Sequence, residues 1–159
     1  PPTSHEVEKR LKNIKCDEPN SFGMFPSSVM VEADLNVRNA DGFKFQIGAA
    51  VVEFSKHENA YSITALPKEE RPVATRNLHW ENRKFQMDEK VGDNMNVKIF
   101  ADRCSLEIFH DNKRVISLHM PFGKDNVLIC LQGNGLVAKD LAIREMKKIY
   151  SKSSLKELI

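Results

Sequence analysis

The sequence predicts an all-β protein built as a two-layer antiparallel β-sandwich. Short runs of alternating apolar and polar residues recur along most of the chain, clusters of Gly, Asn, Asp and Pro separate them, and almost nothing between them has a helical period. Strands of this length with short connections pair antiparallel. One half-buried face per sheet then requires a second sheet to cover it, which gives a sandwich of the jelly-roll or lectin-like kind.

The elements follow in order. "HEVEKRLKNI" at residues 5–14 is the one stretch with a fair helical turn. "VMVEADLNV" places Val29, Val31, Ala33, Leu35 and Val37 on one side, the two-residue period of a half-buried strand. After the turn "NADG" the pattern resumes with Phe43, Phe45 and Ile47, then in "AVVEF" at residues 50–54 and in "AYSITA" at 60–65. Residues 66–81 carry two prolines and many charges, so they read as a long excursion with at most one short strand. "RKFQMD" returns to the sheet. "NVKIFAD", "SLEIFHD", "RVISLHM" and "NVLICLQG" then form a meander, and "GLVAKDLAIREMKKIY" is read as a last strand. Residues 151–159 are a polar tail.

Composition sets the limits. A chain of 159 residues suits one domain with one core. Its 24 basic and 22 acidic residues are spread along the whole length, so no basic stripe marks a nucleic-acid partner. No apolar run approaches the roughly 20 residues that cross a bilayer, so no membrane partner is expected. Cys16, Cys104 and Cys130 are odd in number and far apart, forming neither a metal pair nor a disulfide framework. The opening prolines, without a methionine, read as the start of a piece cut from something longer.

Few side chains suggest chemistry. Asp102 and Glu107 stand five residues apart and on opposite strand parity, so they are not expected to converge as a catalytic pair. Asp102 is expected to hold turn amides, while Arg103 and Glu107 form a charged pair over the sheet. With the second hairpin turn centred on Asn112 and Lys113, His119 faces Leu106 and stands too far from His110 to share a metal. No metal, cofactor, nucleophile elbow or phosphate loop is expected, and "GNG" at 133–135 reads as a turn. Trp80, with Tyr61 and Phe85, is a candidate platform for stacking on a sugar ring; burial in the core is the competing expectation.

"VKIFADRCSLEIFHDNKRVISLHMPF" resembles a stretch of the form "lrifvDrSsvEvFvNdGe.vlt.rvfP" in the C-terminal β-sandwich of glycoside hydrolase family 32, the invertases, levanases, inulinases and sucrose-6-phosphate hydrolases. The likeness runs through Asp102, Arg103, Ser105, Glu107, Phe109, Asn112 and Pro121. Cys104 replaces the usual serine, and "HDNK" the more common "NDG". "LAIREMKKIY" resembles the family's closing "l.vw.lksiw", and "PPTSHEVEKRLKN" its connector "P..ElekLr". The frequent "DR..sG" segment has no counterpart between residues 62 and 89.

The resemblance implies residues 1–20 as a connector from a preceding catalytic domain and residues 21–150 as a sandwich module. The family's catalytic motifs "WMNDPNG", "RDP" and "EC" belong to a five-bladed propeller and have no counterpart here. The chain is therefore expected to be non-catalytic. Its parent would be an enzyme cleaving β-fructofuranosides with retention through paired carboxylates, secreted or periplasmic rather than cytoplasmic. The module would stabilise or assemble the propeller, with homo-oligomer contacts also open to it. The alternative is a module binding terminal fructose of levan or inulin, with Asp102, Arg103, Glu107 and Trp80 as its candidate sugar-binding residues.

Overall fold

The computed structural model describes residues 7–123 and 125–146. These fold into two six-stranded antiparallel sheets. The first sheet has the order β1 (Val7–Lys15), β12 (Val137–Glu145), β3 (Ser28–Asn36), β8 (Asn94–Asp102), β9 (Ser105–His110) and β10 (Lys113–His119). The second has the order β2 (Asn20–Phe25), β11 (Val127–Gln132), β4 (Gly42–Ile47), β5 (Ala50–Ser55), β6 (Ala60–Ala65) and β7 (Arg83–Gln86). The strands expected from alternation all form.

Alternation decides which side chains meet. In β3 the buried residues are Val29, Val31, Ala33 and Leu35; in β4 they are Phe43, Phe45 and Ile47. They join one continuous core with Ile99, Leu106, Ile108, Ile129 and Leu131. Phe43, Phe54 and Tyr61 form a ring cluster inside it, with centroids 5.0 to 6.0 Å apart.

Where a helical turn is expected over residues 5–14, the described part from Val7 onward is instead β1, hydrogen-bonded along β12, and residues 5 and 6 lie outside the described residues. Leu11 and Ile14 are three apart, a helical spacing, and both pack on the core. Asn13 between them adopts φ 54°, which resets the alternation within a strand. The edge carries Lys9, Arg10, Lys12 and Lys15, charges that discourage a further strand from adding. Lys9 donates to the Phe22 carbonyl at 3.0 Å, tying the two sheets on this side. The excursion holds two single 3-10 turns, Lys68–Glu70 and Val73–Thr75. Residues 147–150 of the last expected strand, and the polar tail, lie outside the described residues.

Turns fix the ends. Gly135, at φ 79°, lies so close to Asn39 that a Cβ would overlap its carbonyl oxygen. Its N–H donates to the Asp17 carboxylate at 2.8 Å. On the other flank, β7 and β10 are the edges of their sheets, and Arg83 reaches across to the Ser117 carbonyl at 3.1 Å. Gly135→Ala is expected to cost at least about 1 kcal/mol in urea unfolding. Gly92→Ala, where a Cβ meets nothing within 4 Å, is expected to stay within roughly 0.5 kcal/mol of the wild type.

Candidate functional site

The hairpin β8–β9 turns through Arg103 and Cys104, with Arg103 at φ 36°. Asp102 pairs with Ser105 and Phe100 with Glu107, so Asp102 and Glu107 occupy diagonal positions on one outer face. The two-residue turn restores the parity that counting along the sequence denies them. They do not work together. Asp102 accepts the Ser28 hydroxyl at 2.6 Å instead of binding turn amides. Glu107 pairs with Arg114 at 3.4 Å across β9–β10, not with Arg103. The Arg103 N–H donates to the Ser27 carbonyl and its carbonyl accepts from Gly123.

Trp80 is 8% exposed, with its indole N–H on the Thr75 carbonyl at 3.1 Å and the Arg71 guanidinium 5.5 Å from the ring centre. Tyr61 is fully buried. Tyr61 and Phe85 pair across β6–β7, but no exposed platform of three rings forms, and Phe85 alone of the three lines an open cleft. The Thr75 methyl group lies beside Gly123, so the excursion braces the same end of the sandwich as the hairpin.

Two clefts carry exposed polar side chains. One, about 360 Å³, lies along the outer face of the second sheet, where Glu53 faces Lys44 and Lys44 faces Gln132. The other, about 380 Å³, opens between β7 and β10. Its rear is His110, which is 8% exposed. Leu106 and Ile108 point inward, and the same alternation turns His110 inward from the end of β9. The turn Asp111–Asn112, at φ 47° and 67°, then leads into β10, where Lys113 pairs with His110 and His119 with Ser105. The turn sits one residue earlier than expected, which shifts the pairing by two, and the bulge between Arg114 and Ile116 takes one back, so His119 faces Ser105 instead of Leu106.

His110 Nδ1 lies 2.7 Å from the Tyr61 hydroxyl, and Nε2 lies 3.4 Å from Asp111 Oδ2. Burial raises the Tyr61 pKa, with the Asp111 charge adding to it, so the phenol keeps its proton. Burial lowers the His110 pKa, and Asp111 opposes that in part. The tautomer that satisfies all three groups has Tyr61 donating to Nδ1 and the Nε2–H turned to the carboxylate. Among the described residues no three His, Cys, Asp or Glu converge on a metal position.

No family model and no curated protein matches the chain. Solved structures do match. The galectin LEC-6 of Caenorhabditis elegans superposes with a TM-score of 0.63 at 8% identity, over 84% of this chain and 94% of that one. The β-fructofuranosidase of Schwanniomyces occidentalis, in complex with fructosyl-erythritol, gives 0.62 at 14% identity, over 88% of this chain and 33% of that one. The exo-inulinase of Aspergillus awamori gives 0.53 at 12% identity, over 84% and 29%. By fold the protein is a two-sheet β-sandwich of the kind found in galectins and within fructosidases. It spans nearly all of the galectin but a third or less of these two enzymes.

Because the folded pKa of His110 lies below that of an unfolded histidine, about 6.5, the unfolded chain takes up a proton first as pH falls. The stability due to neutral His110 is therefore complete above about pH 6.5 and declines below it. Urea unfolding is expected to show a larger loss between about pH 7.5 and 5.5 for the wild type than for His110→Gln; equal losses would contradict the neutral buried imidazole.

Proposed function

We propose that the chain is the non-catalytic C-terminal β-sandwich module of a family 32 β-fructosidase of levanase or invertase type, stabilising or assembling a catalytic propeller. One observation carries the reading. The hairpin motif from Asp102 to Pro121 stands in a sandwich whose fold recurs as part of larger fructofuranosidases. The commitment of Asp102 to Ser28 and of Glu107 to Arg114 suits a structural motif, since a retaining pair needs two free carboxyl groups about 5–5.5 Å apart. In this reading residues 1–20 lead in from the propeller, with β1 binding that lead-in to the sandwich edge, and residues 21–150 form the module.

A second reading, a module binding terminal fructose of fructans, is favoured by the two clefts whose polar side chains have room for a ligand. Asp102, Arg103, Glu107 and Trp80 contribute less to it than sequence suggests, because their groups are engaged within the fold.

The natural coding region upstream of Pro1 is expected to encode a propeller with paired carboxylates. Deleting residues 21–150 from that polypeptide should lower its melting temperature by about 5 °C or more, since a bound partner at 100 times its Kd supplies roughly 2.7 kcal/mol. Fructose release from sucrose by the chain alone, lost in Asp102→Asn or Glu107→Gln, would overturn the proposal.

A further inference from the structure

We infer that the cleft between β7 and β10 is a saccharide-binding site, with His110 and Asp111 as its polar floor and Phe85 and Val115 as its apolar wall. This rests on the second reading above and locates it at residues that the sequence does not single out for sugar.

Both walls are held in place before any ligand arrives. On one side, the Asn59 side chain grips the 87–91 segment. Its amide donates to the Glu89 carbonyl at 2.8 Å and its oxygen accepts the Val91 N–H at 3.1 Å, while the Asn59 carbonyl accepts the Met87 N–H at 2.9 Å. On the other side, Asp111 is bonded twice to Asn96: its Oδ1 accepts the Asn96 N–H and its N–H donates to the Asn96 carbonyl, both at 2.8 Å. Lys98 holds Asn112 at 2.7 Å. Such fixed walls reduce the ordering that binding would otherwise require.

The groups left over decide the ligand class. Tyr61 occupies His110 Nδ1, and Asn96 occupies Asp111 Oδ1. The Nε2–H donor and the Oδ2 acceptor then face each other at 3.4 Å, longer than an ordinary N–H···O bond, so each keeps capacity for a ligand hydroxyl group at the cleft floor. A donor beside an acceptor at this spacing matches a pair of neighbouring hydroxyl groups, each of which both donates and accepts. Around them stand Asp88 and Glu89 against Lys90 and Lys113, so with Asp111 the cleft has three carboxylates against two ammonium groups. Near-balance favours neither an anion nor a cation. The partly exposed Phe85 ring and Val115 supply the apolar surface that the C–H face of a sugar ring requires. At about 380 Å³ the space lies within the roughly 300–1,000 Å³ typical of small-ligand sites.

Gly92 lines the cleft, a Cβ there meets nothing within 4 Å, and its backbone is open to a side chain, so Gly92→Trp is expected to add bulk at the cleft at little cost to the fold. Amide NMR spectra of the whole chain titrated with D-fructose, and separately with inulin oligosaccharides, are expected to shift at residues 87–92 and 110–115. Gly92→Trp should fold, with unchanged amide dispersion elsewhere, and bind at least roughly tenfold more weakly. Asp111→Asn, which keeps an oxygen for Asn96, should also weaken binding. Shifts at 87–92 and 110–115 that Gly92→Trp leaves unchanged would overturn the site. Shifts confined to the Lys44 and Glu53 groove would overturn it too while leaving the fructan-binding reading standing, and no shift with either sugar would overturn both.

Discussion

A β-strand can bury only every second side chain, and in this protein two sheets must therefore hide each other's apolar faces. Among the described residues no α-helix is available to cover either. Each fully buried Leu, Ile or Phe contributes roughly 1.5–3 kcal/mol. Most of that gain is offset by the cost of ordering the chain, so an unpaired polar group inside would be poorly tolerated. The structure admits His110 and Tyr61 only as a mutually bonded pair, one from each sheet. His110 stands at the rim, where its second nitrogen meets Asp111 instead of the apolar interior.

The same constraint explains what could be read from sequence. Strict alternation in Val29 to Leu35 and in Phe43 to Ile47 places those strands and their inward faces without ambiguity. Where a residue of positive φ interrupts the period, the reading fails. At Asn13 the interruption spaces Leu11 and Ile14 like helix residues. In β2, Phe22 and Phe25 are buried three apart, with Gly23 at φ 102° between them, so the segment shows neither period and goes unread.

The candidate site is legible in the same uneven way. The inward direction of His110 is written in the spacing of Leu106, Ile108 and His110, a signal overlooked when the histidine is considered only as a metal ligand. Its partner is not legible: Tyr61 lies 49 residues away and reaches it only because the sheets stack. The facing of Asp102 and Glu107 depends on the length of the turn between them, which local sequence leaves open. Their engagement with Ser28 and Arg114 depends on strand register.

A sandwich of this kind does not choose its function by its fold, since galectins and parts of fructosidases share it. What separates a mechanical module from an adhesive one is where its polar groups are spent. On the outer face of the first sheet most are spent internally: Glu32 takes Arg144 and Asn96, and Asp34 takes Asn96, while Asn96 Oδ1 has no hydrogen-bond partner. A surface that satisfies itself this way is rigid and offers little to a small ligand. The β7–β10 cleft differs, because there the fold fixes the backbone with Asn59 and Asn96 and leaves the side chains of Lys90 and Lys113 at its mouth. In the proposed readings, stabilising a neighbouring domain and holding a sugar would call on different parts of one sandwich, and neither would require the other to be given up.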